Sequence, residues 1–276
     1  MLVNPMKMLR KAREGHFAIP APDFWDSNSC KTFCETAEEM KRPLILSFAE
    51  VHLSMMSVAE AAAIAKFYGE KADVPVALHL DHGMNPEVIG EALRQGFTSV
   101  MIDASSESFE ENVRRTRETV AMAGSFGAAV EAEIGHVGAN PGGPHTANES
   151  VCTETEEAER FAELTGVDTL AVSIGTSHGL YQGTPKIDFR RLEEIRAAVQ
   201  VPLVLHGGSG TGDENLNRCA MGGITKINLF TDFIVAALDH TYASRPDNWL
   251  GLLTGSSGAV REVLKHYYQV FGTEQV

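Results

Sequence analysis

The chain has 276 residues, 43% of them hydrophobic and 22% charged, and a formal net charge of −14. This length exceeds that of a small disulfide-stapled domain and suits one α/β barrel of about 250 residues. The negative charge argues against a nucleic-acid binder, which needs a basic face, and against an anionic membrane surface as partner. It does not exclude a small anionic substrate, because local N–H groups and a metal can dominate the field inside a site.

Short apolar runs alternate with longer amphipathic stretches along the chain. Eight such units without a break in composition predict a single domain over residues 1–276, with a parallel sheet closed into a (β/α)8 (TIM) barrel. An open doubly wound sheet is the alternative, because sequence patterns do not show closure. The predicted strands are 16–21, 43–48, 76–80, 99–102, 128–134, 169–173, 201–205 and 224–229. The predicted helices include 58–71, 86–95, 109–126, 155–165, 188–199 and, after a glycine-rich stretch from Asp247, 258–271.

The connection 135–151, GHVGANPGGPHTANESV, has neither helical nor strand periodicity. Long irregular connections inside compact barrels are usually functional, so we expect an active-site loop here; a surface insertion is the alternative.

The four cysteines, Cys30, Cys34, Cys152 and Cys219, have no CxxC or zinc-finger spacing, which favours reduced thiols. The amino terminus has no apolar signal segment, and no stretch reaches about 18 apolar residues. We expect a cytoplasmic protein.

Polar or titratable residues stand at nearly every predicted strand end, where a barrel of this kind builds its site. A lone histidine there is more often a structural residue, but three histidines on one rim with carboxylates beside them favour a metal site. The residues at the strand ends are Asp81, His82, Asp103, Glu133, His178, His206 and Asn228.

Three imidazoles with an open position are typical of catalytic zinc, whereas a closed structural site would use a fourth protein ligand. The lack of nearby thiolates argues against an iron–sulfur cluster. The sequence thus predicts zinc on His82, His178 and His206, with Asp81 placed to move a proton beside it.

Glycines cluster at the same strand ends, in LHGGSGTGDENL (205–216) and GTSHGLYQG (175–183). Glycines let backbone N–H groups approach an oxyanion, and the loops after strands 7 and 8 are the usual phosphate site of this fold. The sequence GGSG by itself more often forms a tight turn. Because His206 lies in the same loop, a phosphate bound there would lie beside the predicted metal. Such a site suits cleavage of a ketose phosphate, in which loss of the C4 hydroxyl proton breaks C3–C4 and leaves an enediolate.

The motifs HLDHG (79–83), VMIDAS (100–105), EAEIG (131–135), GVDTLAVSIGTSHGLYQG (166–183), PLVLHGGSGTG (202–212) and KINLFT (226–231) resemble the class II fructose-bisphosphate and tagatose-bisphosphate aldolase family. The resemblance covers nearly the whole chain.

The resemblance implies that Asp81 is the catalytic acid/base and that the three histidines bind zinc, with a monovalent cation as a further activator. It places Glu133 and Asp103 near the metal, as supporting groups or as an alternative ligand when the metal shifts. It also implies a homodimer or homotetramer that acts on a small sugar phosphate. The dihydroxyacetone-phosphate half would be bound by Gly179, Gly207, Gly208, Ser209, Asn228 and Thr231.

The sequence departs from the family where members hold the distal phosphate of a bisphosphate. An asparagine, a serine and an arginine are expected, whereas Asp23, Ala49 (followed by Glu50) and Asp247 stand there. Carboxylates would repel a phosphate dianion by several kcal/mol in a desolvated site. We expect a distal half without phosphate, as in a ketose 1-phosphate; local misalignment, or compensation by Arg245, is the alternative.

Two further departures concern groups around the substrate. The family's acidic pair in the strand 5 loop is missing, which leaves Glu149 or His145 as the proton donor. Phe230 replaces a small or polar residue and should narrow the pocket. Two rival functions stay open: a zinc hydrolase on the same barrel, and a non-catalytic partner subunit of an aldolase, although the latter would have lost the metal site.

Overall fold

Eight strands form one parallel sheet in the computed structural model, which describes residues 2–138, 151–179, 181 and 183–276. Each strand is short and apolar on its outer face, and a helix follows it and returns the chain to the start of the next strand. The strands are β1 (Ile19–Pro22), β2 (Leu44–Ala49), β3 (Val76–Gly83), β4 (Ser99–Ile102), β5 (Ala129–Ile134), β6 (Thr169–Val172), β7 (Leu203–Leu205) and β8 (Ile224–Leu229).

The sheet closes on itself, which confirms the predicted (β/α)8 barrel and excludes the open sheet. Seven neighbouring pairs run from β1 through β8 and back down to β2. The remaining gap, between β1 and β2, is bridged just beyond β1, where Asp23 pairs with Ser47 and the N–H of Phe24 donates to the Ser47 carbonyl at 2.9 Å. Closure brings all the strand ends to a single rim.

Six of the ten described α-helices begin after a residue whose side chain accepts from a free N–H group of the first turn. Asp26 and Ser57 each form a capping box, with Ser29 and Glu60 respectively. The helices are α1 (Met6–Gly15), α2 (Ser27–Met40), α3 (Val58–Gly69), α4 (Pro86–Arg94), α5 (Phe109–Gly124), α6 (Thr155–Thr165), α7 (Phe189–Ala198), α8 (Asp213–Gly222), α9 (Thr231–Ser244) and α10 (Trp249–Val270), with a 3₁₀ helix at Glu50–Ser54.

Three predicted boundaries are wrong by three residues or more, and one of them is the end of β3, which lies at Gly83 and not at residue 80. The first strand begins at Ile19 and not at residue 16, because α1 runs to Gly15 and His16 ends it in the left-handed region. The last helix begins at Trp249, nine residues before the predicted 258. Asn248 caps its first turn by accepting from the Gly251 N–H, and α10 packs along α9 and α2, so the glycine-rich stretch is held in a helix.

The main apolar core lies between the barrel and its helices. The inside of the barrel combines a smaller apolar cluster, which includes Ile19, Ala21, Ile45 and Ala77, with buried polar side chains. Leu78 and Leu80 of β3, like Val130 and Ala132 of β5, point outward into the main core. The polar residues that alternate with such outward-facing residues along the strands point inward and are buried. They include Ser47, His79, Asp81, Ser99, Glu131, Glu133, Thr169, Lys226 and Asn228. Barrels usually fill this space with branched apolar side chains, so charged groups here need another explanation.

The irregular connection after β5 is tied at its base. His136 and Val151 exchange two backbone hydrogen bonds of 2.9 Å and bracket the expected active-site loop. Most of that loop, residues 139–150, lies outside the described residues. The four cysteines form no disulfide, and no described helix is long and apolar enough to cross a membrane.

Candidate metal and substrate site

Three histidine side chains meet above the barrel. Nε2 of His82 lies 3.2 Å from Nε2 of His178 and 2.9 Å from Nδ1 of His206. Three nitrogens that share one tetrahedral zinc ion at roughly 2.0–2.1 Å would lie about 3.4 Å apart. The rings therefore face one common position that a metal ion fits, and the structure brings together the ligands that the sequence predicts.

The backbone at His82 is strained in a way that aims this ring. Its φ is 45°, in the left-handed region that non-glycine residues seldom adopt, and the pairing with β4 shifts register between Leu80 and Gly83. Gly83 is required beside it, because a Cβ there would lie 2.5 Å from the Met101 carbonyl oxygen. Local strain of this kind, worth about 1–3 kcal/mol, is concentrated at functional sites.

Carboxylates hold two of the three rings from behind. Nδ1 of His82 is 2.7 Å from Oδ2 of Asp103, and Nε2 of His206 is 2.9 Å from Oε1 of Glu131. Each carboxylate accepts an N–H, so the opposite nitrogen of that ring is the one that faces the shared position and could bind a metal in place of a proton. This arrangement is common behind metal-bound histidines. The backbone N–H of His178 donates to the Gly138 carbonyl, and its Nδ1 has no partner among the described residues.

The charges around the rings favour a cation at the shared position. Burial opposes a charge on His82, but Asp81 and Asp103 raise its pKa to about 10. Burial, together with the charge on His82, lowers the pKa of His178 to about 4 and that of His206 well below its usual value. One positive charge is thus stabilised where the three nitrogens meet, and a metal dication would take that place.

A buried ion pair lies beneath the metal ligands, within the barrel. Nζ of Lys226 donates to both oxygens of Glu131, at 2.7 and 2.9 Å, and lies 3.1 Å from Nε2 of His79. Burial and the charge of Lys226 lower the pKa of His79 well below its usual value, so the neutral ring accepts from Lys226 and donates to Ser99. Glu131 therefore joins the barrel interior to the ring of His206.

Asp81 is held as a carboxylate beside the metal position. Burial alone would raise its pKa, but the charges of His82, His206 and Lys226 lower it below the usual value. The Asn228 amide donates to Oδ1 of Asp81 at 2.7 Å and fixes the orientation of the carboxylate. An ionised, oriented carboxylate in a water-poor site can act as a general base.

Glu133 and Asp103 form the second acidic group at the site, and each lies close enough to His82 to share a metal with it. Burial and the charge of Asp103 raise the pKa of Glu133 to about 8, so at neutral pH it carries a proton while no cation is near. Its Oε1 accepts from the Val137 N–H, and its Oε2 has no partner among the described residues. Asp103 is further fixed by a 2.8 Å hydrogen bond from Ser105.

The glycine loop after β7 is packed against the loops on both sides. A Cβ on Gly207 would lie 2.4 Å from the Ser177 carbonyl oxygen, and one on Gly208 would lie 2.8 Å from the Asn228 carbonyl oxygen. The hydroxyl of Ser209 accepts from the N–H groups of Phe230 and Asp232 at the start of α9. Ser209 and Thr231, two of the predicted phosphate residues, thus meet at the N-terminus of α9, and the N–H of Gly208 donates to the carbonyl of Asn228. Gly179 directly follows His178, one of the three predicted metal ligands.

The four residues predicted for the distal substrate end have different surroundings. Asp23 is buried, and Ala49 is the register partner of Asp81. Glu50 accepts from the N–H groups of Met84 and Asn85, so its carboxylate holds the loop after β3. Asp247 lies exposed between α9 and α10, and no contact found among the described residues joins it to the metal ligands. The predicted proton donors Glu149 and His145 lie outside the described residues.

Sequence reasoning missed several residues that the structure places at the site. Glu131, Lys226 and His79 stand two positions before Glu133, Asn228 and Asp81 on their strands, and alternate strand residues share a face. That spacing could have identified them. Two further residues gave no such signal. They are His52 and Tyr181, and the hydroxyl of Tyr181 contacts both Ser177 and the Gly207 carbonyl.

Comparison with known proteins gives consistent matches over the whole chain. Residues 3–275 match the family model described as fructose-bisphosphate aldolase class-II. The crystal structure of the YdjI aldolase from Escherichia coli K12 is 34% identical, with a TM-score of 0.90 over 99% of this chain and 98% of that one. A putative fructose-1,6-bisphosphate aldolase from Coccidioides immitis is 30% identical, with a TM-score of 0.87 over 97% and 95%. A Campylobacter jejuni fructose-bisphosphate aldolase, 23% identical with a TM-score of 0.81 over 98% and 95%, shares the fold.

We predict that Glu131→Gln lowers zinc affinity about 10–100-fold, because the ring of His206 loses its anionic partner. Competition with a chromophoric chelator measures this. The exposed Glu163→Gln is the matched control. Because Glu131→Gln also leaves Lys226 buried without its counter-charge, at a cost of about 3–5 kcal/mol, the Glu131→Gln/Lys226→Met variant should recover stability but not zinc affinity. Unchanged zinc binding in both variants would show that Glu131 does not support the site.

Proposed function

The chain belongs to the class-II fructose-bisphosphate aldolase family and is a carbon–carbon lyase, and from this premise we propose a zinc-dependent, reversible cleavage of a ketose phosphate. The products would be dihydroxyacetone phosphate and an aldehyde. The observation that carries the proposal is the ionised, fully buried Asp81 beside three histidine nitrogens that face one position.

Zinc bound by the three histidines would act as a Lewis acid on the substrate carbonyl and would stabilise the negative charge that develops there. The phosphate of the substrate would lie at the N-terminus of α9, against the loop that contains Gly207 and Ser209. With its phosphate bound there, the ketose would have its C3–C4 bond above the barrel, near Asp81.

Asp81 would remove the proton from the C4 hydroxyl, after which the C3–C4 bond breaks and the aldehyde forms. The electron pair stays on the dihydroxyacetone-phosphate half, which is then protonated at C3. Asn228 keeps the Asp81 carboxylate oriented for this transfer, because its amide donates to the same oxygen throughout. Glu133, whose Oε2 has no partner among the described residues, is the described group that would give up the C3 proton.

The distal half of the substrate would carry no phosphate. Burial and the charge of Asp81 raise the pKa of Asp23 well above its usual range. The cationic groups that act on it, His82 and Lys226, are committed to the metal position and to Glu131. A second phosphate dianion would therefore meet Asp81 without a free counter-charge, so we favour a ketose 1-phosphate.

The two rival functions have less support. A hydrolase on the same barrel does not account for the family match over residues 3–275. A non-catalytic partner subunit does not account for three histidines that still face one metal position.

A kinetic comparison tests the proposal. Removal of metal with a chelator should abolish release of dihydroxyacetone phosphate, and stoichiometric zinc should restore it; a coupled glycerol-3-phosphate dehydrogenase assay measures the product. Among ketose 1-phosphates at least one should show a kcat/KM equal to or above that of fructose 1,6-bisphosphate. Much faster cleavage of the bisphosphate than of every 1-phosphate would refute the assignment of the distal half.

The substitution Asp81→Asn should lower kcat by about 10²–10⁴-fold, because an amide does not accept the hydroxyl proton. Zinc content should stay at the wild-type level, since Asp81 is not among the three nitrogen ligands. Asp73→Asn, at an exposed position, is the control for the same chemical change. An Asp81→Asn enzyme with near wild-type kcat would assign the base elsewhere.

We also propose a homodimer, built on the exposed apolar side chains at the α9–α10 hairpin. Leu250 is 74% exposed and Trp249 is 68% exposed, and Tyr242 and Leu238 lie on the neighbouring helix. Sedimentation at micromolar concentration should give twice the monomer mass, and Leu250→Asp should weaken the dimer, whereas Met221→Asp on α8 should not. A wild-type monomer would contradict this assembly.

A further inference from the structure

Two buried polar side chains near Asp81 lack partners. Asp23 is 6% exposed and His52 is 7% exposed, and neither Oδ1 of Asp23 nor Nδ1 of His52 has a hydrogen-bond partner among the described residues. The hydroxyl of Ser47, also buried, has none either. Native proteins pair nearly all buried polar groups, so unpaired groups beside a reactive carboxylate indicate the position of a ligand.

Both side chains lie in the sector of the rim formed by β8, β1 and β2. The N–H of Asp23 donates to the carbonyl of Leu229 at the end of β8, and Asp23 pairs with Ser47 of β2. His52 lies on the 3₁₀ helix Glu50–Ser54, which directly follows β2. The charge of Asp81 acts on both side chains, which places both near the reacting end of the substrate.

Aromatic rings surround His52. Its ring centroid lies 4.8 Å from that of Phe230 and 6.1 Å from that of Phe48, and Trp25 meets the Phe230 ring at 5.9 Å. A few polar groups on a mostly aromatic wall are typical of a small-molecule site, in which the polar groups determine orientation. Phe230, which stands where the family has a small or polar residue, is thus one support of the His52 ring.

The subsite carries little charge. Burial lowers the pKa of His52, so the ring is neutral near pH 7 and offers one donor and one acceptor. Asp23, with its raised pKa, can also donate. Groups of this kind bind hydroxyls well and bind a phosphate dianion poorly.

We propose that Asp23 and His52 form a hydroxyl-binding subsite for the aldehyde half of the substrate. The subsite selects an uncharged, acyclic polyhydroxy aldehyde over an aldehyde without hydroxyls. His52 acts in binding and specificity, and Asp81 remains the proton acceptor. This inference rests on the proposed aldolase function and extends it to the identity of the second product.

The test compares two aldehydes of equal chain length, glyceraldehyde and propionaldehyde, in condensation with dihydroxyacetone phosphate by the zinc-loaded enzyme. We expect the wild type to prefer glyceraldehyde. His52→Phe and Asp23→Leu should each reduce the ratio of the two kcat/KM values about tenfold or more, because a site built to bind a hydroxyl loses that discrimination. His52→Gln, whose amide still forms hydrogen bonds, should retain part of the preference. Val51→Ala, at an exposed position of the same 3₁₀ helix, should retain all of it.

A second measurement separates this inference from the aldolase function. Exchange of the C3 proton of dihydroxyacetone phosphate with deuterated water, followed by NMR, needs zinc and the phosphate site but no aldehyde. No zinc-dependent exchange in the wild type would refute the proposed function. Normal exchange in His52→Phe, His52→Gln and Asp23→Leu, with aldehyde ratios within twofold of wild type, would overturn the subsite alone. If His52→Phe fails to fold, the other two variants decide.

Discussion

The ion pair of Glu131 and Lys226 in the barrel interior is the interaction on which the site depends. An unpaired charge buried this deeply would cost several kcal/mol, so each residue requires the other. Glu131 then has one further acceptor position, and the N–H of His206 fills it. Burial and the charge of Lys226 lower the pKa of the neighbouring His79, and Lys226, together with His82, lowers the pKa of Asp81; Glu131 acts in the opposite direction on both groups. The buried charges of Glu131 and Lys226 in the barrel core thereby influence the protonation states of the groups above them.

The rim divides into three sectors with different chemistry. The metal position lies where β3, β6 and β7 end, with a carboxylate behind His82 and another behind His206. The loops after β7 and β8 form a helix N-terminus suited to a phosphate. The ends of β1 and β2 carry neutral polar groups on aromatic rings. Asp81 adjoins all three, as expected for a group that acts on the bond between the two halves of a substrate.

The contrast between the two ends of the substrate follows from local charge and not from net charge. The chain carries −14 overall, yet the phosphate site that we propose at the start of α9 would take one anion. At the opposite end, the negative charge of Asp81 acts on Asp23, and the same charge would disfavour a second anion there. The same physical rule therefore favours phosphate at one end and hydroxyls at the other.

The sequence alone determined the eight alternating strands and helices, the strand-end positions of the three histidines and Asp81, and the glycine loop, because strand periodicity and strand-end position are properties of local order. Only the tertiary structure decided which nitrogen of His82 and of His206 faces the shared position, because that depends on Asp103 and Glu131, which lie on other strands. The tertiary structure also decided that Glu50 holds the loop after β3. It places His52, 29 residues from Asp23 in the sequence, in the same sector of the rim as Asp23. Such pairings arise from closure of the sheet, and a linear pattern carries no record of which strand ends become neighbours.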